Sequence, residues 1–101
     1  MEIQDFAFQD CKNLQEVELK ESALKTIGRA AFGGCGKLEK IVLPEELEKI
    51  DCSAFEETGL AGIEFPASLR TIDHGAFYKC KNLRTVRFGE GLEVLGVISE
   101  C

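Results

Sequence analysis

The sequence lacks long apolar runs and is poor in positively charged residues. No stretch approaches the roughly 18 consecutive apolar residues of a membrane-spanning helix, so we predict no membrane span. Lysine and arginine number 12 against 18 aspartate and glutamate residues, which gives a net charge of -6. Nucleic-acid binding and polybasic membrane contacts both need a cationic surface. We therefore expect no nucleic-acid partner.

Targeting and cofactor motifs are also absent. The segment Met1 to Asp5 has neither the basic nor the apolar region of a secretory signal. Neither GxGxxG nor GxxxxGK(S/T) occurs, so we expect no phosphate-binding loop and no cofactor. The five cysteines are odd in number and include no CxxC pair, unlike a disulfide framework. Reduced cysteines favour an intracellular setting, although the compartment stays unknown.

What the sequence does contain is an internal repeat. The dipeptide Ala-Phe occurs four times, with its phenylalanines 24, 23 and 22 residues apart. Aligning the chain on this dipeptide brings the other apolar residues into columns. These columns are Ile3, Ile27, Ile50, Ile72; Phe8, Phe32, Phe55, Phe77; Cys11, Cys35, Thr58, Cys80; Leu14, Leu38, Leu60, Leu83; Val17, Ile41, Ile63, Val86; Leu19, Leu43, Phe65, Phe88; and Leu24, Leu47, Leu69, Leu92.

The spacing within one repeat predicts its local structure. The apolar residues between Ile27 and Leu38 recur as on one face of a short helical turn. Ile41 and Leu43 then alternate with other residues, as in a strand with one buried face. Pro44 suits the end of that strand, and residues 47–50 leave room for a second short strand. Such a unit cannot bury its apolar face alone, so the repeats must stack with like strands parallel.

These residues resemble the BspA-like leucine-rich repeats of about 23 residues. The shared pattern is I-x-x-x-A-F-x-x-C-x-x-L-x-x-(I/V)-x-(L/F)-P-x-x-L, and it extends from Ile3 to Leu95. The resemblance implies an α/β repeat, a right-handed solenoid with a parallel β-sheet on one face and short helical turns on the other. It also implies a non-enzymatic protein-binding module without catalytic residues, since members mediate adhesion and protein binding.

We interpret residues 1–101 as one domain whose units span about 3–26, 27–49, 50–71 and 72–94, with a partial unit at 95–101. Three departures from the pattern stand out. The first unit has an extra residue between Leu19 and Leu24. The third has Thr58 in the cysteine column and is one residue short before Leu60. The last unit has Ser99-Glu100 in place of Ala-Phe.

The cysteine column admits two interpretations. Stacking places Cys11 and Cys35 about 5 Å apart at Cα, within reach of a disulfide, with Cys80 too distant to join them. Free cysteine is also a common small core residue, and we favour packing thiols. A zinc site is disfavoured because the column breaks at Thr58 and no fourth ligand is within reach.

A second pair, Cys52 and His74, occupies the same position in successive repeats. Stacking brings the two within about 5 Å at Cα, and a Cys–His pair is the minimum for a thiol nucleophile. No orienting group or oxyanion donor is evident, although Asp51 and Asp73 are adjacent in sequence. We interpret these aspartates as caps of the helical turns and expect no catalytic residue.

The outward-facing positions of the main strands form the candidate partner surface, because repeat proteins bind partners on extended faces. Its residues are Glu16, Glu18, Lys40, Val42, Glu64, Arg84, Thr85 and Arg87. We expect a protein partner on this face. The alternative is a scaffold subunit or fragment of a larger assembly, held through its solenoid ends by another chain or by more repeats.

Overall fold

The chain folds as stacked coils with short strands. The structure, a computed structural model, describes residues 2–88 and the backbone of residues 94–95. Nine strands lie within these residues: β1 Glu2–Ile3, β2 Glu16–Glu18, β3 Thr26–Ile27, β4 Lys40–Val42, β5 Lys49–Ile50, β6 Gly62–Glu64, β7 Thr71–Ile72, β8 Thr85–Arg87 and β9 Val94–Leu95.

The two-residue strands form one continuous parallel sheet. Its order is β1-β3-β5-β7-β9, so each repeat adds one strand beside the last. Equivalent residues are in register, with Ile27 opposite Ile3 on one side and Ile50 on the other. These isoleucines are buried, while Thr26 and Lys49 on the same strands are more exposed. The second short strand predicted in each repeat is therefore confirmed, and so is the parallel stacking.

The three-residue strands form two separate sheets instead of one. β2 pairs with β4 and β6 pairs with β8, both in parallel. Within each pair the register again matches equivalent residues, such as Ile41 opposite Val17 and Ile63 opposite Val86. The main sheet expected on this face is therefore interrupted between its second and third repeats.

The predicted helical turns are wrong, because the described residues contain no helix. In the first repeat the N–H groups alternate between two kinds of acceptor. Those of Phe6 and Phe8 donate to carbonyl groups of the next coil, Arg29 and Ala31, both at 2.8 Å. That of Ala7 donates within its own coil. A helix requires consecutive N–H groups to bond within the same segment, so this alternation excludes one.

Backbone dihedrals explain why the turn cannot become helical. In each of the four described repeats, two positions have positive φ, one two residues before the recurring phenylalanine and one two residues after it. Their φ values are 62° at Phe6, 59° at Asp10, 52° at Ala30, 78° at Gly34, 59° at Ser53, 58° at Glu57, 65° at Gly75 and 60° at Lys79. Left-handed residues end a right-handed helix, so each segment folds as a series of tight turns.

The core lies between the two strand faces and the turns. Phe8, Phe32, Phe55 and Phe77 form a stack with successive ring centroids 5.3 Å apart. Interplanar angles of 9°, 4° and 7° show that the rings are nearly parallel. The isoleucine and leucine columns bury the rest of the core, as the alignment of the repeats predicts.

Candidate functional site

The predicted partner surface lies on the interrupted strand face. Glu16 and Glu18 are on β2, Lys40 and Val42 on β4, Glu64 on β6, and Thr85 and Arg87 on β8, with Arg84 just before β8. All of these side chains are exposed except that of Val42, which is half-buried. The registers place Glu16 opposite Lys40 and Glu64 opposite Arg87. The eight residues therefore share one face, but they are divided between two sheets.

The division falls between β4 and β6. These strands are neighbours in the stack, yet they form no ladder in the described part of the chain. On the opposite face the corresponding strands β3 and β5 are paired. The two coils are thus paired by a ladder on one side of the core and, within the described residues, not on the other.

A shortened turn accounts for the missing ladder. In the second repeat Leu38 lies three residues after Cys35, and its N–H donates to the Cys35 carbonyl at 3.0 Å. In the third repeat Leu60 lies only two residues after Thr58, and this turn bond is not formed between those two residues. The turns before β2 and β8 have the longer spacing and keep the bond. The path of the chain into β6 therefore differs from its path into the other three strands.

Gly59 allows the shortened turn to pack. A Cβ atom built at Gly59 would lie 2.5 Å from the carbonyl oxygen of Gly36 and 3.3 Å from that of Leu38. Only a residue without a side chain fits at this close approach of two backbones. At the equivalent position of the second repeat, a Cβ on Gly36 would meet no atom within 4 Å.

A groove of about 690 Å³ lies along the gap between β4 and β6. Five of its lining residues are charged: Lys20, Lys40 and Arg87 are cations, and Glu45 and Glu64 are carboxylates. All five are exposed. The groove therefore has a small excess of positive charge, although the chain carries a net charge of -6.

Within the part of the chain that the structure describes, the cations of the groove are not engaged in ion pairs. Among the described residues, the ion pairs are Lys25 with Glu46 at 3.3 Å, Lys25 with Glu48 at 3.6 Å, and Lys49 with Asp51 at 3.9 Å. None of the residues in these ion pairs lines the groove. Lys20, Lys40 and Arg87 are therefore available to an anionic group from outside.

Five of the eight residues predicted for the partner surface line the groove, and three do not. Glu16, Glu18 and Arg84 lie on the same face but outside it. Sequence reasoning missed the groove itself, together with Lys20 and Glu45. The signal available was the missing residue before Leu60, which predicts an irregular turn but not a gap in the sheet.

Cys52 and His74 do not form a reactive pair. Cys52 is buried and takes part in a disulfide bond, so the expectation of reduced thiols is wrong at this position. His74 is exposed, and its carbonyl accepts the N–H of Ser53 at 3.3 Å. Asp51 and Asp73 accept the N–H groups of Cys52 and His74 at 2.7 and 2.8 Å, and they cap turns instead of helices. The arrangement lacks the free thiol that nucleophilic catalysis would need.

The cysteine column has a structural role. Cys11, Cys35 and Cys80 are free thiols, so the disulfide that spacing allowed between the first two is not formed. The Sγ of Cys35 donates to the carbonyl of Phe8 at 3.1 Å, and that of Cys80 donates to the carbonyl of Phe55 at 3.0 Å. Burial raises the pKa of both thiols. Each thiol therefore satisfies a backbone carbonyl of the preceding coil.

Two other features, a metal-binding cluster and a membrane-spanning helix, are not found in the part of the chain that the structure describes. Within residues 2–88, no three side chains of histidine, cysteine, aspartate or glutamate are grouped so as to hold a metal ion. The same residues include no helix with the length and apolar character needed to cross a bilayer. Neither finding adds a second candidate site to the groove.

Comparison with known proteins gives one family match and two similar structures. Residues 1–99 match the model of the BspA type leucine-rich repeat region, in six copies. A leucine-rich cell surface protein of Faecalibacterium prausnitzii is similar over 86% of this chain, with 29% identity and a TM-score of 0.82. A leucine-rich repeat protein of T. pallidum is similar over 100% of this chain, with 32% identity and a TM-score of 0.79.

Both similar structures are longer than this chain. The chain spans 23% of the F. prausnitzii protein and 48% of the T. pallidum protein. No curated protein matches the sequence. The comparisons thus agree on the repeat and its fold.

Proposed function

Because the chain belongs to the BspA-type leucine-rich repeat family, we propose that it is a non-enzymatic module that binds another protein on the face formed by β2, β4, β6 and β8. Leucine-rich repeat proteins commonly serve as interaction or surface modules. One of the two similar structures is that of a leucine-rich cell surface protein, which is consistent with a role in contact between molecules. The partner of this chain is a protein.

The groove between β4 and β6 is the observation that carries this proposal. It is concave, and it joins exposed charged side chains to a half-buried apolar one, Val42. Lys40 and Arg87 stand on its two sides without intramolecular ion pairs in the described structure. Charged groups on such a surface add specificity and speed association with a partner of complementary charge.

Quantitative affinity capture tests the proposal. The bait is the chain itself, alongside a face variant, Lys40→Glu with Arg87→Glu, and a control variant, Lys12→Glu with Lys37→Glu. Both variants change the net charge equally, and Lys12 and Lys37 are exposed outside the groove. We expect mass spectrometry to find a protein that the wild type and the control retain and the face variant loses. Equal retention by all three baits would contradict binding on this face.

The alternative function, a scaffold subunit held through its ends, has its own support. Phe6 and Phe8 at the first repeat are 51% and 43% exposed, and Val86 and Phe88 in the fourth repeat are 38% and 52% exposed. Exposed aromatic and aliphatic groups of this size mark contact surfaces. Light scattering on the isolated chain tests this alternative, which predicts self-association that rises with concentration. A monomer at high concentration that binds no hydrophobic dye would contradict it.

A further inference from the structure

We propose that the groove between β4 and β6 binds an extended acidic segment of the protein partner, with one carboxylate side chain seated over Gly62 between Lys40 and Arg87. The proposal rests on the proposed function and adds the chemistry of recognition. Shape and charge each support it separately.

The shape of the groove comes from a missing side chain. Along the face, Gly62 occupies the position held by Lys40 in the preceding repeat and Thr85 in the following one. A Cβ atom built at Gly62 would meet only Thr85, at 3.3 Å from its oxygen and 3.5 Å from its Cβ. No atom of β4 would lie within 4 Å of it. The hollow is therefore on the β4 side of Gly62, in line with the gap in the sheet.

Glycine inside a strand has a recognised structural meaning. It weakens the strand, because its backbone loses more entropy on folding and it has no side chain that could pack. It also marks places where a ligand or another backbone approaches closely. Gly62 is the first residue of β6, and the nearby Leu60 and Ile63 are buried in the core. A close approach from outside is thus a sufficient reason for glycine at this position.

The backbone on either side of the gap determines how a peptide lies on the groove. The β2–β4 ladder occupies one edge of β4, and the β6–β8 ladder occupies one edge of β6. The other edges of β4 and β6 face each other without forming a ladder in the described residues. Cα atoms of β4 and β6 approach within 8 Å of each other, whereas a strand pairing with both would need about 9.6 Å between them. The peptide therefore lies over the gap along the strands and contacts side chains, without adding a strand.

Charge selects an acidic peptide over a basic or neutral one. The groove presents Lys20, Lys40 and Arg87 against Glu45 and Glu64, a surplus of one positive charge. A carboxylate that enters the hollow meets ammonium and guanidinium groups that have no partner of their own among the described residues. Charge-assisted hydrogen bonds to such groups are stronger than neutral ones. A lysine in the same place would face like charges.

Peptide titration tests the proposal on the full chain. The probes are three short extended peptides, blocked at both ends, in which valine alternates with glutamate, glutamine or lysine. Alternation places every second side chain toward the groove. We expect the glutamate peptide to shift the backbone NMR signals of Ile41, Gly62 and Glu64. Its affinity should exceed that of the glutamine peptide by about tenfold and should fall as salt is raised.

Two variants locate the binding. Lys40→Glu with Arg87→Glu should weaken the glutamate peptide by about tenfold or more. Gly62→Thr fills the hollow with the residue that Thr85 provides in the next repeat, and it should weaken all acidic binding while leaving the charges unchanged. Lys12→Glu with Lys37→Glu should have no effect, because these residues lie outside the groove. Circular dichroism on each variant reports whether the fold is retained.

The outcomes separate this proposal from the proposed function. If none of the peptides binds, or if the lysine peptide binds best, the acidic-ligand proposal is overturned. The same holds if the shifted signals belong to residues outside the groove instead of to Ile41, Gly62 and Glu64. The proposed function still stands in these cases if the face variant loses its captured protein. It falls only if that capture is insensitive to the face variant.

Discussion

The first repeat and the two inner repeats have the same pattern of apolar residues but very different burial. Phe8 is 43% exposed, whereas Phe32 and Phe55 in the same column are 1% and 0% exposed. The rings are equally well stacked, since Phe8 lies 5.3 Å from Phe32 just as Phe32 does from Phe55. What the first repeat lacks is a neighbour on its outer side within the described residues. Burial in this fold is therefore a property of stacking, and the same residue contributes differently at different places in the stack.

The largest expected effect comes from removing an inner ring. Phe55→Ala should destabilise the chain by about 3–5 kcal/mol, because it removes buried surface and leaves a cavity between two neighbouring rings. Phe8→Ala should cost only about 1–2 kcal/mol, since almost half of that side chain is already in water. Chemical denaturation measures both. Equal losses would show that the outer and inner repeats are packed alike.

A smaller effect is expected at Gly36 and Gly59, which occupy equivalent positions in the second and third repeats. Gly59→Ala should cost about 1–3 kcal/mol, because the new Cβ would overlap the carbonyl oxygen of Gly36. Gly36→Ala is the matched control, with open space around the added atom, and should change stability by no more than about 1 kcal/mol in either direction. A tolerated Gly59→Ala would mean that the shortened turn is not closely packed.

Thiol labelling compares the repeats without changing the sequence. Cys35 is 0% exposed and Cys11 is half-buried, although they occupy the same column. We expect Cys35 to react at least about tenfold more slowly than Cys11 in the native chain, because its thiol must first be exposed and burial raises its pKa. Mass spectrometry of labelled peptides gives both rates. In denaturant the two rates should become similar.

The smallest expected effect is a loss of stability at alkaline pH. Burial raises the pKa of Cys35 and Cys80 in the folded chain, so these thiols keep their protons after unfolded thiols have lost theirs. The unfolded state then binds fewer protons, so the free energy of unfolding falls as pH rises above about 8.5. Urea denaturation from pH 7 to 10 measures the slope.

Cys35→Ala and Cys80→Ala serve as controls for that slope. Each should lower stability at neutral pH, because a backbone carbonyl loses its donor, and each should reduce the alkaline slope. An unchanged slope in both variants would assign the pH dependence to other groups.

The strands were predictable because their signal is local. Ile41 and its neighbours alternate between buried and exposed positions, and this period of two is a property of the residues themselves. The helical turns were wrongly predicted for a related reason. The apolar spacing from Ile27 to Leu38 fits a helix face, but Ala30 and Gly34 have positive φ and their N–H groups bond to the following coil. Those inter-coil bonds exist only after stacking, so no local pattern reveals them.

The candidate site, too, could be predicted only in part from the sequence. Placing Lys40, Val42, Glu64 and Arg87 on one face required only the repeat and the strand period. The gap beside Gly62 required knowing how a turn shortened before Leu60 directs the chain, and that depends on the packing of Gly59 against Gly36. Lys20 and Glu45 reach the groove from segments outside the strands, which the repeat does not position.

The sequence by itself determined the repeat, the columns of the core, the family and the face that carries the candidate site, because each follows from residue types recurring at constant offsets. The tertiary structure alone decided which members of a column are buried, which thiols are free, and where the sheet breaks. Those outcomes depend on contacts between residues more than 20 positions apart, such as the donation from Cys35 to Phe8. Two repeats with nearly the same sequence can therefore differ in burial and in pairing.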